Sequence, residues 1–143
     1  MAHSVLIDPL LIINNGADFD CSDHVKQLNL AHSTAALDNT AGSATPIEVF
    51  LAGLRNSRFS ARLFQDFADN EVDEILFNAW QNRTTLALRL RADKTSAISA
   101  SNPEYQFSCF ITAYSGINAS IGEVVMCDLE VAMTTDVTRD ITP

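Results

Sequence analysis

The chain has 143 residues, of which 47% are hydrophobic, and a net charge of −9. This length fits a single domain spanning residues 1–143, and the hydrophobic content excludes a disordered chain. No apolar run reaches the roughly 18 residues of a membrane-spanning helix. So acidic a chain has no basic surplus with which to bind nucleic acid through its phosphates.

No basic stretch precedes an apolar run at the N-terminus, so we expect no signal peptide and a protein that stays in the cytoplasm where it is made.

The N-terminal third predicts two strands followed by a long loop. Residues 5–15 form an apolar run that ends in an Asn-Asn-Gly turn signal, and residues 24–31 alternate between apolar and polar side chains. These two segments are predicted to form a hairpin-like pair with an acidic connection. Residues 32–46 are rich in Ser, Thr, Ala, Asn and Gly, which predicts a flexible loop. Loops of this length are often functional.

The middle of the chain predicts further strands and one helix. Residues 47–52 and 57–64 are predicted strands on either side of Gly53. A helix is predicted over about residues 70–80, because acidic residues suit the positive end of the helix dipole in its first turn and apolar residues recur at helical spacing. Trp80 is expected to close this helix against the core. The apolar stripe contains Val72, Ile75, Leu76 and Ala79.

The last third predicts three more strands. In residues 84–92 the leucines alternate with alanine and arginine, which places the leucines inward. Residues 104–114 and 123–131 also alternate, and Gly116 and Gly122 bracket their connection. About seven strands and one helix predict a mainly β fold, a β-sandwich or barrel of about seven strands with one flanking α-helix.

We find no set of residues for catalysis or for cofactor binding. The phosphate-binding glycine motifs and the nucleophile elbow are missing from the sequence. Cys21 and His24 have a C-x-x-H spacing and His32 follows, but a zinc site normally needs four ligands at recognisable spacings. We therefore expect no enzyme, no cofactor and no metal. The cysteines are interpreted as small buried apolar residues: Cys21, Cys109 and Cys127.

An acidic cluster precedes and begins the predicted helix. It lacks the ligand spacing of an EF-hand loop, so it is interpreted as a solvated helix start. Its members are Asp66, Asp69, Glu71, Asp73 and Glu74.

Charged residues on two elements are candidates for contacts between copies of the chain. Arg89 and Arg91 lie on one face of a predicted strand, and Glu71, Asp73 and Glu74 lie at the helix start. The alternative is that both are ordinary exposed faces. Head-to-tail contacts between such faces make rings when the rotation closes, and the same pairing would cover exposed edge strands.

Several segments follow one another in an order and spacing that is informative as a whole. The N-terminal VLIDPLLIINNGADFDCSDHVKQLNL opens the series, and the FQDF-to-helix passage follows at 64–79. NPEYQF, IGEVVMCDLEV and the Thr-rich VTRDIT close it. Between the opening and the helix lie a T-x-G motif (Thr40, Gly42) and a G-L motif (Gly53, Leu54).

Together these segments resemble the tail tube (major tail) proteins of long-tailed bacteriophages. One departure is Arg55-Asn56, where the family usually has Trp or Leu. The resemblance implies a subunit that assembles into six-membered rings, which stack into a hollow tube for DNA. It implies a location in the virion tail after assembly in the host cytoplasm. The implied partners are other copies of the chain and the tape measure, tail tip and terminator proteins, while DNA passes without specific binding.

In this family the long loop and the termini contact the next ring. The resemblance therefore implies that the 32–46 loop is a stacking surface, and we expect its ordering on stacking to control polymerisation. An acidic lumen would repel the DNA backbone. The predicted stacking residues are Thr34, Asp38, Asn39, Thr40 and Gly42.

Two alternatives stay open. One is a relative on the same fold: a tail terminator, a gene-transfer-agent tube or the tube of a contractile injection machine. The other is a small-ligand-binding β-barrel, which requires a ligand-sized apolar pocket.

Overall fold

The chain is built mainly from β-strands, with one α-helix packed against them. The computed structural model describes residues 5–38 and 50–143. The predicted mainly β architecture with a flanking helix is confirmed, with eight strands in these described ranges instead of the predicted seven or so. The elements in chain order are β1 (Leu10–Asn14), β2 (Asp18–Asp20), a 3₁₀-helix (Ser22–His24), β3 (Val25–Asp38), β4 (Phe50–Phe64), α1 (Val72–Gln81), β5 (Leu86–Arg91), β6 (Glu104–Asn118), β7 (Met126–Met133) and β8 (Thr138–Asp140).

The strands form one antiparallel sheet in the order β2-β1-β5-β6-β7-β4-β3, and β8 pairs with the beginning of β6. Two strands separate β6 from β3, which in a flat sheet would place β3 about 14 Å from β6. The ring centroids of His32 in β3 and Tyr105 in β6 are nevertheless 6.4 Å apart. The sheet therefore curls strongly and brings its β3 end back over the face that it encloses.

The enclosed face of the sheet carries the hydrophobic core. Period-two alternation places every second residue of the central strands on this face, as predicted for β5 and β6. The helix adds Val72, Leu76 and Ala79 of its predicted stripe, with Ile75 half-buried. The largest fully buried strand residues are Leu11, Ile13, Phe59, Leu63, Leu86, Leu88 and Leu129.

All three cysteines are buried, as predicted. Burial raises the pKa of Cys109 to about 12 and that of Cys127 to about 11, and it also raises the pKa of Cys21. Thiols with such pKa values stay protonated at neutral pH, so these side chains pack as small apolar groups.

The predicted hairpin between residues 5–15 and 24–31 is wrong. The turn after Asn14 leads directly into β2, so β1 pairs with β2 and with β5, while β3 pairs with β4. The 3₁₀-helix then carries the chain to the opposite end of the sheet. The apolar run and the alternation suggested two neighbouring strands. A tight turn, however, pairs the two strands that it directly connects, which here are β1 and β2.

The predicted loop over residues 32–46 is wrong in its first half. Residues 32–38 continue β3 and pair with the first half of β4. Small polar side chains resemble a loop in composition, but here residues 32–34 and 36–38 lie in an antiparallel ladder, with an irregularity at Ala35. The rest of the predicted loop lies outside the described residues. The two strands predicted around Gly53 are one continuous strand, β4.

Three smaller expectations also change. Trp80 is 47% exposed, because the inward stripe of α1 ends at Ala79 and the indole lies beside Phe77 on the outer side. Gly116 lies within β6, so only Gly122 marks the turn to β7. The C-terminal tail contains β8.

In the described part of the chain, no helix has the length and apolar character needed to cross a membrane.

Candidate functional site

A two-stranded projection extends from one end of the sheet. β4 pairs with β7 only from Arg58 onward, so within the described residues its first half pairs with β3 alone. We call residues 31–38 and 50–57 the β3–β4 arm. Leu37, Leu51 and Leu54 are exposed on it, with Leu54 86% exposed. An isolated pair of strands is marginally stable in water, so an arm with exposed leucines is suited to packing against another surface.

Gly53 allows the two strands of the arm to approach closely. β3 has an irregularity between Thr34 and Ala36, and opposite it a Cβ added to Gly53 would lie 3.0 Å from the Ala35 carbonyl oxygen. A side chain at this position would push the strands apart. The G-L motif noted in the sequence is therefore a point of close approach between the two strands of the arm.

The outer face of the sheet is polar, and several of its charges are paired across neighbouring strands. Arg62 donates to Asp128 at 2.8 Å, and Asn118 donates to the same carboxylate at 2.6 Å. The hydrogen bond from Arg62 holds the pKa of Asp128 below its usual range, and Asp128 raises the pKa of Arg62. At the far side of this face, Arg89 forms an ion pair with Asp18 at 3.0 Å. We call this surface the paired-charge face.

The predicted inter-subunit arginines both have partners within their own chain. Arg89 also lies 3.7 Å from the buried carboxylate of Glu104. Arg91 donates to the Lys94 carbonyl oxygen at 3.4 Å, and its buried Nε makes no hydrogen bond within the described residues. A role for either arginine between subunits stays a prediction.

The predicted acidic contacts at the helix start are likewise used locally. Glu71 lies 3.9 Å from His24, and a Glu74 carboxylate oxygen accepts from the Asn70 amide at 2.6 Å. Asp73 accepts from the Tyr114 hydroxyl at 2.8 Å. Contacts of these three acids with another subunit stay a prediction.

A small polar network fixes the helix start to β6. Gln65 donates to the Tyr114 hydroxyl at 2.9 Å and to the Gly116 carbonyl at 2.6 Å, and Tyr114 donates to Asp73. Burial, together with the hydrogen bond to the Asp73 carboxylate, raises the pKa of Tyr114 above its ordinary value. This network orients α1 relative to the sheet.

An exposed apolar groove of about 510 Å³ lies beside the same network, between the outer side of α1 and the end of β6. Phe77 and Trp80 stack in it with ring centroids 5.7 Å apart, and Phe67 and Ile117 complete its apolar wall. The groove lies on the surface outside the core. An exposed apolar patch of this kind, with a polar rim, is typical of a protein contact site.

The residues predicted for stacking divide between the arm and the undescribed segment. Thr34 lies opposite Arg55 in the arm, and Asp38 is the last residue of β3. Asn39, Thr40 and Gly42 lie outside the described residues. The exposed leucines of the arm were missed, although Leu51 and Leu54 flank the glycine that was noted. Recognising them required knowing that, among the strands that the structure describes, this half of β4 has no second neighbour.

One side-chain group offers ligands for a metal ion. Atoms of His24, Asp66 and Glu71 that can ligate a metal all lie within 4.8 Å of one another. From sequence, His24 was grouped with Cys21 and His32, but Cys21 is buried in the core.

No protein-family model and no curated protein matches the sequence. Solved structures do match it along nearly its whole length. The SPP1 tail tube, determined by solid-state NMR and cryo-EM, has a TM-score of 0.73 at 8% identity, covering 94% of this chain and 77% of that chain. The tail of an empty gene transfer agent particle, with C6 symmetry, has a TM-score of 0.72 at 14% identity, covering 92% and 95%.

The anti-feeding prophage baseplate, six-fold symmetrised, has a TM-score of 0.73 at 13% identity, covering 100% of this chain and 99% of that chain. At these identities the comparison concerns the fold. This chain has the fold that the three tail assemblies share, as the resemblance in the sequence implied.

Proposed function

We propose that this protein is a structural subunit of a virion tail, where copies of it form rings that stack into a hollow tube for DNA delivery. The observation that carries the proposal is the match over 92–100% of the chain to subunits of three tail assemblies. Six subunits in a ring is the number we propose, because two of those assemblies have six-fold symmetry. The other tail proteins are its further partners.

The free edge of the sheet supports self-association within this proposal. β3 is a strand of 14 residues at the end of the sheet, and within the described residues it pairs only with β4. Long exposed edges present unpaired backbone groups that another strand satisfies. We propose that the edge of β3 pairs with a neighbouring subunit, while the β3–β4 arm packs its leucines against the next ring. In this proposal the arm has the role in stacking between rings that was expected of the predicted loop over residues 32–46.

The paired-charge face supports a lumen that is polar and carries little net charge. In a tube built from this fold, we propose that this face lines the channel and that α1 lies outside. The Arg62–Asp128 and Arg89–Asp18 pairs are each neutral, and the exposed Arg58 and Glu130 on the same face carry opposite charges, so little net charge is left there. DNA then meets a polar surface that neither attracts nor strongly repels its phosphates. This replaces the acidic lumen expected from the net charge, because many of the acids lie at the helix start.

A ring-forming relative is the second candidate. The gene transfer agent tail and anti-feeding prophage baseplate matches have the same quality as the SPP1 tail tube match, so the fold supports all three kinds of assembly equally. The length of the assembly separates these candidates. A tube subunit polymerises into stacks of many rings, whereas a terminator stops at a single ring.

Negative-stain electron microscopy of the purified protein, over rising concentration, tests the proposal. We expect hollow rings that stack into tubes of uniform width. Single rings that never stack would favour the terminator. Monodisperse monomers at every concentration, also when preformed tail tips are added as templates, would contradict a tube subunit.

A further inference from the structure

We propose that His24, Asp66 and Glu71 bind a divalent transition-metal cation of the Zn²⁺ type. Nothing in the tube proposal requires such a site. The three residues come from separate parts of the chain: the 3₁₀-helix before β3, the segment after β4 and the residue that precedes α1. Their ligand atoms all lie within 4.8 Å of one another, and His24 Nε2 lies 3.9 Å from Glu71 Oε2.

The sheet brings these segments together. Val25 pairs with Leu63, so His24 lies beside the end of β4, from which the chain turns toward the helix. The turn is fixed at both ends of the acidic segment. The Asp73 amide donates to the Asp66 carbonyl oxygen at 3.0 Å, and the Ala68 amide donates to the Asp66 carboxylate at 3.0 Å. These hydrogen bonds fix the backbone around Asp66. Small side-chain rotations then suffice to bring the three ligand atoms to a common ion.

The donor set determines the class of ion. An imidazole nitrogen with two carboxylate oxygens suits Zn²⁺, and less well Mn²⁺, whereas Ca²⁺ prefers six to eight oxygens. Nitrogen and oxygen ligands at about 2.0–2.1 Å from a tetrahedral ion are about 3.3 Å apart. The His24–Glu71 distance of 3.9 Å is near this value, and the separations of up to 4.8 Å within the group must shorten when an ion binds. Three protein ligands leave the fourth position to water.

The local charge favours a cation. Two carboxylates face each other, and within the described residues the only ion-pair partner of Glu71 is His24 and Asp66 has none. No lysine or arginine occurs in residues 66–74, and the nearby Lys26 places its ammonium over the Phe64 ring, 5.6 Å from the ring centroid. The start of α1 contributes about half a positive charge, which opposes a cation, but two full negative charges outweigh it. A bound divalent cation would neutralise the pair.

Calorimetric titration of the tag-free protein with ZnCl₂ tests this site. We expect binding of one ion per chain, weakened about 100-fold or more in each of His24→Ala, Asp66→Asn and Glu71→Gln, since each removes a direct ligand. His32→Ala and Asp69→Asn are matched controls, because they remove a histidine and an acid outside the group. Both controls should bind like the unmodified chain.

Thermal unfolding gives a second readout that does not depend on the heat of binding. With ZnCl₂ at about 100 times the dissociation constant, the Tm of the unmodified protein should rise by about 8 °C, and that of Glu71→Gln should not change. Two results would overturn the proposal. One is no binding up to about 1 mM. The other is equal weakening by Asp69→Asn, because it would mean diffuse attraction of cations to acidic residues.

Discussion

At the scale of single residues, the Tyr114 hydroxyl connects three segments. It donates to Asp73 at 2.8 Å and accepts from Gln65 at 2.9 Å. Tyr114→Phe removes both bonds and keeps the ring, so we expect the free energy of unfolding to fall by about 1–3 kcal/mol. Tyr105→Phe is the matched control, because its hydroxyl makes no side-chain hydrogen bond within the described residues, and it should change stability by less than about 0.5 kcal/mol.

Urea unfolding of the two tyrosine variants measures this difference. Equal effects would mean that the ring of Tyr114, rather than its hydroxyl, holds the helix start in place.

The hydrogen bonds of the Asp93 carboxylate should make the free energy of unfolding fall in acid. Its carboxylate accepts from the Ser96 hydroxyl at 2.6 Å and from the Thr95 hydroxyl at 2.7 Å. The bonds from Ser96 and Thr95 lower its pKa from 3.8 to about 2. A carboxyl whose pKa is lower in the folded state stabilises the fold at pH values above its ordinary pKa, and this contribution is lost as the pH falls toward the lower value. The pKa of Asp128 shifts in the same direction.

We therefore expect the free energy of unfolding to drop between about pH 4 and pH 2, and to drop less in Asp93→Asn. Urea unfolding at a series of pH values measures both slopes. An Asp93→Asn protein as acid-sensitive as the unmodified one would show that the Asp93 turn contributes nothing to the acid transition.

At the scale of elements, the arm should contribute to assembly but little to folding. Leu54 is 86% exposed on the arm, so Leu54→Asp should leave the monomer folded. If the side chain is buried on stacking, the protein concentration at which tubes appear should rise about tenfold or more. Ile121→Asp is the matched control, because Ile121 is fully exposed in the turn before β7.

Light scattering over a concentration series, with far-ultraviolet circular dichroism to check folding, compares the two variants. If Ile121→Asp raised the protein concentration at which tubes appear as much as Leu54→Asp, the proposed role of the arm in stacking would be contradicted.

The elements that could be predicted from sequence are those whose pattern faces the core. The leucines of β5 and the stripe of α1 are buried on one side, so their periodicity reports their structure directly. The arm has both faces exposed over residues 31–37 and so carries no such pattern. Pairing is also non-local: β2 and β3 lie at opposite ends of the sheet although they are close in sequence.

The candidate sites could be predicted from the sequence only in part, for the same reason. Arg89 was correctly placed on an outer strand face, but its partner Asp18 is 71 residues away in sequence. His24 and Glu71 meet only because Val25 pairs with Leu63. Sequence spacing reports contacts within an element, whereas contacts between elements depend on the strand order.

At the scale of the whole molecule, the net charge of −9 opposes bringing many copies together. Arg62 and Arg89 of the paired-charge face already have acidic partners within the chain, so long-range repulsion should outweigh attraction between subunits. Raising NaCl from about 0.1 M to about 1 M shortens the screening length from about 10 Å to about 3 Å. Tubes should then form at lower protein concentration. Chloride is the salt of choice, because sulfate would also strengthen apolar burial.

Sedimentation of assembled protein across this NaCl series decides between two kinds of interface. A threshold concentration that falls with salt means that edge pairing and apolar contacts hold the subunits against their net charge. A threshold that rises with salt would mean that ion pairs between subunits dominate, as the exposed charges of the sequence first suggested. Arg89 and Glu71 would then have to exchange their internal partners, Asp18 and His24, for partners on a neighbouring copy.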